Sequence, residues 1–203
     1  MRRSLRVLMA AILLGSFAAH SLPAYRLIYK EQLYELYRVQ MYQYPERIRE
    51  NIYRLEQALS ADFANPLNAL AVIEDETDWE RYRYLFWTHL NLKLVELYLR
   101  WASKYTKQVA YFYNYPWRDQ NLESLDRAEH LMNQALYYWD EAQRWSAQAW
   151  ELRGVHLEEV QYWADENHRI ETGDLDYQAI IQRHLDRLEE TRAAFQAMGP
   201  DTY

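Results

Sequence analysis

The sequence predicts an all-α fold, with six or seven helices in antiparallel hairpins that form a degenerate repeat-like array or a bundle. Apolar residues recur at three- and four-residue spacing, and alternating stretches are almost absent. Glycine and proline are rare, at 4 and 5 of 203 residues, well below their usual share of about 12 %. A chain of this length with so few turn residues favours a single helical domain, which we place at residues 25–203.

Residues 1–24 have the pattern of a secretory signal peptide. Three arginines, Arg2, Arg3 and Arg6, precede the uncharged apolar run at 7–19, and small residues follow it. This run is shorter than the roughly 20 residues that a membrane-spanning helix needs. We therefore predict export, and an uncleaved N-terminal anchor remains the alternative.

Composition narrows the compartment and the class of partner. The chain has no cysteine, which excludes disulfides and the usual bacterial lipid modification. The absence of disulfides from an exported protein favours the bacterial periplasm as its compartment. The formal net charge of −7 becomes −10 once the three arginines of the signal peptide are removed. We do not expect so acidic a protein to bind nucleic acid, whose phosphates are contacted by clustered Lys and Arg.

The first two helices are predicted to form a hairpin. The first covers 25–43 and stops at Tyr44, because a residue that precedes proline avoids the helical region. Pro45 then suits the first turn of the second helix. The apolar face of that helix has four- and three-residue spacing and consists of Ile48, Ile52, Leu55 and Leu59. A connection this short makes the two helices antiparallel.

The next helices are predicted from caps and breakers. Asn65 is a candidate N-cap for a short helix at 66–73. A capping box begins at Thr77, so a new helix is predicted from there. Glycine and proline are absent from 78–115. This segment therefore forms either one long helix or a helix that kinks near 103–106, where polar and β-branched residues cluster.

The clearest periodic run follows a predicted turn at 115–121 and ends at Gly154, a typical C-terminal glycine. Its members are Leu125, Ala128, Met132, Ala135, Trp139, Ala142, Trp145 and Ala149. Another helix is predicted over 155–168. Asp174 is predicted to cap the last helix, and Gly199 to end it. The apolar stripe of that helix is Leu175, Ile181, Leu185, Leu188, Phe195 and Met198.

Two of these helices resemble the second helix of a tetratricopeptide repeat, in which small residues at fixed spacing let paired helices approach closely. The resemblance is carried by Leu125, Ala128, Met132, Ala135 and Leu136 in one helix and by Ile48, Leu55, Ala58 and Leu59 in the other. The chain departs from the family pattern at three positions. The family has alanine at the position of Asn51, and it has proline at the positions of Phe63 and Asp140. The resemblance implies a scaffold that offers a concave face to a peptide or subunit. Such exported proteins are similar to adaptors in envelope machines, including transporter assemblies and the periplasmic structures around flagellar motors.

The aromatic residues indicate where a partner would dock. The chain has 8 Trp, 19 Tyr and 5 Phe, and every tryptophan lies within 79–163. Most rings are expected to fill gaps between helices. However, adjacent rings, as at 111–113 and 137–139, cannot all be buried on a helix stripe about 100° wide, and exposed Tyr and Trp are favoured at interfaces. The predicted partner-binding residues are Tyr113, Tyr115, Trp117, Tyr138, Trp145 and Trp150.

No residue pattern indicates an enzyme, a cofactor or a metal site. The histidines form no H-E-x-x-H or repeated Glu-x-x-His pattern, and the chain has no Gly-rich phosphate loop or G-x-S-x-G elbow. The acidic run at 74–80 lacks the glycine and the ligand spacing of a calcium loop.

The predicted function is therefore that of an exported periplasmic scaffold or adaptor. It would act by protein–protein contact in an envelope assembly, and a homo-oligomer would use the same surface. The alternative is a protein that holds a glycan or a small apolar ligand in an aromatic-lined cleft.

Overall fold

The computed structural model describes residues 27–107 and 113–202, and the predicted signal peptide lies outside them. The described residues are helical and contain no strand, which confirms the all-α prediction. Their six α-helices are α1 (Lys30–Gln43), α2 (Ile48–Ser60), α3 (Glu76–Ala102), α4 (Arg118–Glu151), α5 (Gln161–Glu171) and α6 (Tyr177–Gln196). Short 3₁₀ turns cover Pro66–Asn68, Tyr115–Trp117 and Glu158–Val160.

The α1–α2 hairpin forms where it was predicted, with a turn at Pro45 and Glu46. Pro45 therefore precedes α2, whereas the sequence predicted that it lies in the first turn of that helix. Helix α1 also begins later than residue 25, because the chain at Tyr29 is extended and pairs with Asp62 in an isolated parallel bridge. The segment after α2 also differs from the prediction. Asn65 does act as a cap, but only one 3₁₀ turn follows it. The chain is extended at Ala69, and the backbone N–H of Leu70 donates to the Tyr82 hydroxyl.

The boundaries of α3 correct its predicted cap and rule out one of the two alternatives given for residues 78–115. Its N-cap is Asp75, whose carboxylate accepts from the backbone N–H groups of Thr77 and Asp78. The capping box predicted at Thr77 is therefore wrong. The helix ends at Ala102, so 78–115 is not one continuous helix, and the chain departs from it where the polar cluster lies. The Ser103 hydroxyl bonds back to the Arg100 carbonyl oxygen, which is a local alternative to continuing the helix.

The later boundaries shift by a few residues. Helix α4 starts at Arg118, before the end of the turn predicted at 115–121. The helix predicted over 155–168 is instead a 3₁₀ turn followed by α5. Asp176, not Asp174, caps α6 by accepting from the Ala179 N–H. Asp174 instead accepts from the Thr172 hydroxyl.

The centre of the molecule is the α3–α4 pair, which has the most extensive packing between two elements of the described residues. The α1–α2 hairpin packs on α3 through α2, whereas α5 and α6 pack on α4. Four fully buried alanines let α4 approach its neighbours closely: Ala128, Ala135, Ala142 and Ala149. At 34 residues, α4 is about 51 Å long at 1.5 Å per residue.

Candidate functional site

A cleft of about 710 Å³ lies between α1, α3 and α5. Its lining includes tyrosines from α1 and α5, with polar side chains from α3 and α5 behind them. The residues most relevant to its chemistry are Tyr34, Tyr37 and Tyr42 from α1, His89 and Lys93 from α3, and Tyr162 and Glu166 from α5. The volume falls within the range of about 300–1,000 Å³ that is usual for small-molecule sites.

A chain of hydrogen bonds forms the floor of the cleft and joins the three helices. His89 is only 2 % exposed. Its Nε2 lies 2.7 Å from the Tyr34 hydroxyl, and its Nδ1 lies 2.6 Å from Glu166 Oε2. The Tyr34 hydroxyl is also 3.3 Å from the Tyr162 hydroxyl, which belongs to an exposed ring. We call Tyr162, Tyr34, His89 and Glu166 the relay.

Burial determines the protonation state of the relay. It lowers the pKa of His89 below the ordinary histidine value, although the neighbouring Glu166 carboxylate acts in the opposite direction. Burial also raises the pKa of Tyr34, so its hydroxyl keeps its proton. His89 is therefore a neutral imidazole at neutral pH. Its Nδ1–H donates to Glu166, and its Nε2 accepts from Tyr34.

Aromatic packing beneath the cleft fixes the orientation of the His89 ring. The imidazole stacks on Trp163 with ring centroids 5.4 Å apart. Trp163 is fully buried and stacks in turn on Phe86 at 4.8 Å. A ring held in this way cannot turn away from its two hydrogen-bond partners without disturbing the core.

Two buried charged residues at the start of α1 place Tyr34 over His89. The Lys30 ammonium donates to the carbonyl oxygens of Ala58 (2.8 Å) and Leu59 (2.5 Å), at the end of α2. The Glu31 carboxylate accepts from the backbone N–H of Ala64 at 2.9 Å. Burial lowers the pKa of Lys30 to about 8 and raises that of Glu31. These contacts tie α1 to α2 and to the loop after it.

Three of the predicted partner-binding residues lie together at the start of α4, in a region that we call the α4 corner (residues 113–117). Tyr113 and Trp117 are 45 % and 42 % exposed. Tyr113 also rests on Phe195 of α6, with ring centroids 4.4 Å apart. Tyr115 between them is half-buried, and its backbone N–H donates to the Thr202 carbonyl oxygen at 3.1 Å. Residues 111 and 112 of the predicted aromatic group lie outside the described residues.

Two others lie towards the far end of α4 and are half-buried. Trp145 stacks on Trp87 of α3 at 4.3 Å, and the Arg144 guanidinium lies 4.6 Å from the Trp145 ring. The Trp150 ring lies 5.3 Å from the Arg153 guanidinium and 5.8 Å from the centre of the His168 ring. These rings are therefore separate from the α4 corner.

Tyr138, which was predicted to contact a partner, is buried in the core. It is 8 % exposed, its ring stacks on Tyr98, and its hydroxyl donates to Glu56 Oε1 at 2.9 Å. Tyr98 donates to the same oxygen. The exposed ring of the 137–139 group is Tyr137. Tyr138 thus joins α2, α3 and α4 in the core, and its ring is not accessible to a partner.

The family of the chain is shown by a match to a family model over residues 77–198. That model is described as a domain of unknown function, DUF8513. The chain belongs to the DUF8513 family. Neither a curated protein nor a solved structure matches this sequence.

The matched region of this DUF8513 protein holds α3 to α6, whereas α1 and α2 precede it. His89 and Glu166 therefore lie within the matched region, and Tyr34 lies outside it. The relay was not predicted from the sequence, because His89 is 55 residues from Tyr34 and 77 from Glu166. A His on the buried face of α3, shortly after Phe86 and Trp87, was the only local signal.

Over the described ranges, no three His, Asp or Glu side chains of this DUF8513 protein are grouped so that they could hold a metal ion. Over the same ranges, no helix has both the length and the apolar character needed to cross a membrane.

Proposed function

We propose that the protein is an exported periplasmic scaffold or adaptor that binds a protein partner in an envelope assembly. Support for export comes from the signal-peptide pattern at 1–24. Support for protein contact comes from the α4 corner, where Tyr113 and Trp117 keep close to half of their surface exposed. Aromatic rings of this kind supply much of the binding energy at protein interfaces.

The corner is also held in place, which favours binding. The hydrogen bond from Tyr115 to Thr202 and the contact of Tyr113 with Phe195 tie it to the C-terminal segment. Rings on a fixed turn lose little conformational entropy when a partner covers them. The α4 corner is therefore the surface through which we propose that the adaptor acts.

Crosslinking in the native envelope tests this proposal. Trp117→Ala should weaken capture of the protein that crosslinks to the wild type, by about 2 kcal/mol if the ring is central to the interface. Helicity should stay unchanged, since the ring is exposed. Tyr137→Ala, which removes an exposed ring elsewhere on α4, is the matched control. Equal capture by wild type and Trp117→Ala would contradict the assignment.

The cleft favours a second candidate function, the binding of a small ligand. Its volume, its aromatic lining and the buried polar groups that converge on it are the usual features of such a site. These features support the alternative that sequence analysis kept beside the adaptor, and the two functions are compatible because the cleft and the α4 corner involve different residues.

A further inference from the structure

The rim of the cleft carries exposed aromatic rings. Tyr42 is 90 % exposed, and Tyr162 keeps close to half of its surface exposed. Both line the cleft, on α1 and α5 respectively. Exposed rings of this kind can pack against flat, partly apolar ligand surfaces, such as the C–H face of a pyranose.

The floor of the cleft has a fixed hydrogen-bond direction. Because Nδ1–H of His89 donates to Glu166, its Nε2 accepts from the Tyr34 hydroxyl. The Tyr34 oxygen then accepts from Tyr162, whose proton is used in that bond. The Tyr162 oxygen therefore offers a lone pair to the cleft, and a ligand group that meets it must donate a hydrogen bond. An apolar ligand would leave this group unpaired, at a cost in binding free energy.

Four of the five charged side chains that line the cleft belong to ion pairs. The Arg38 guanidinium donates to Glu35 at 2.6 Å, and the Lys93 ammonium lies 3.0 Å from Glu96 and 3.5 Å from Glu166. The remaining carboxylate of the lining, Glu159, accepts from the backbone N–H of Val72. An anionic ligand, or a cationic ligand at any carboxylate other than Glu159, would have to compete with these ion pairs. A neutral ligand rich in hydroxyl groups would not.

We propose that the cleft between α1, α3 and α5 binds a neutral saccharide, with Tyr42 and Tyr162 against the sugar ring and the Tyr162 oxygen accepting from a sugar hydroxyl. This proposal rests on the second candidate function and names its ligand class. It does not depend on the adaptor function of the α4 corner.

Titration calorimetry on the mature chain tests the proposal with three kinds of probe. The saccharide probes are chitotetraose and maltotetraose, the apolar probe is N-phenyl-1-naphthylamine, and the cationic probe is spermidine. The wild type should bind at least one of the two saccharides saturably. Tyr162→Phe should weaken that binding about fivefold, since one neutral hydrogen bond is lost while the ring remains. Tyr42→Ala should weaken it as well, and Tyr53→Ala, which removes an exposed tyrosine of α2 outside the cleft, should not.

Other outcomes would contradict the proposal, and they can be told apart. Absence of saturable saccharide binding, or saccharide binding that neither cleft variant changes, rules out the assigned ligand class and site. A third outcome is that the saccharides do not bind, but the apolar probe or spermidine binds and Tyr42→Ala weakens that binding. This result would support ligand binding in the cleft and contradict the assignment of a saccharide as the ligand. If none of the probes binds, the second candidate function loses its support too.

Discussion

Individual buried polar residues determine how α1 is placed, and Lys30 is the clearest case. Its ammonium is almost fully buried, donates to two carbonyl oxygens at the end of α2 and lies 5.1 Å from the centre of the Phe63 ring. It thereby satisfies carbonyl groups that a helix end leaves without intrahelical partners. The Lys30 side chain thus acts as a C-terminal cap supplied by a different helix.

Lys30 should give the stability of the protein a measurable dependence on alkaline pH. Its pKa is about 8 in the folded protein, against 10.5 as the ordinary value. Between these values the unfolded chain binds more protons, so the free energy of unfolding rises with pH. From pH 7.5 to 9.5 the wild type should gain on the order of 1 kcal/mol relative to Lys30→Met, measured by urea unfolding. Parallel pH profiles for the two proteins would show that Lys30 does not titrate as inferred.

The aromatic groups show how far sequence can predict the environment of single residues. The helical spacing correctly predicted that the rings at 137–139 are not all buried. It did not predict which ring is exposed, because that depends on Glu56 and Tyr98, which lie on α2 and α3 and face Tyr138. Periodicity along one helix carries no information about the polar partner that a neighbouring helix provides.

At the scale of elements, helix identity was predictable and helix ends were less so. All six described helices fall on segments where sequence spacing predicted them. Where a helix begins depends on which of several nearby polar side chains accepts hydrogen bonds from the free backbone N–H groups of its first turn. At the start of α3, Asp75 and Thr77 were both available, and the carboxylate of Asp75 takes two N–H groups.

The cap of α3 can be tested with one variant and one control. Asp75→Ala should lower the free energy of unfolding by about 1 kcal/mol, because two N–H groups lose their acceptor. Thr77→Ala should change it by less than about 0.5 kcal/mol. Thermal unfolding followed by circular dichroism measures both. A larger loss for Thr77→Ala would instead support the capping box.

At the scale of the whole molecule, the relay connects parts of the chain that are far apart in sequence. Tyr34, His89 and Glu166 come from α1, α3 and α5, and they meet only once the three helices have packed together. The all-α architecture was predictable from spacing within each segment. The cleft was not, since its chemistry arises from three segments, none of which carries a motif.

The relay should also make the free energy of unfolding sensitive to mild acid. Burial holds the pKa of His89 below the value of 6.5 that it has in the unfolded chain. Below about pH 6.5 the unfolded chain therefore binds more protons at this histidine than the folded protein does, and the free energy of unfolding falls as the pH falls. His89→Gln keeps one donor and one acceptor but does not titrate. Between pH 7.5 and 5, chemical unfolding should therefore show a steeper loss for the wild type than for this variant.

Other acidic and histidine groups titrate in both proteins, so the difference between the two profiles isolates His89. Profiles that fall equally would mean that His89 binds its proton as readily in the folded protein as in the unfolded chain.

The length of α4 has a mechanical consequence. An unbroken helix of 34 residues, supported along its side by α3, behaves as a stiff rod about 51 Å long. Its first turn adjoins the α4 corner, and Trp150 stands on its last turn. If separate partners bind the two ends, the helix sets the distance between them, and inserting or removing one turn would change that spacing by about 5.4 Å and keep the same faces aligned.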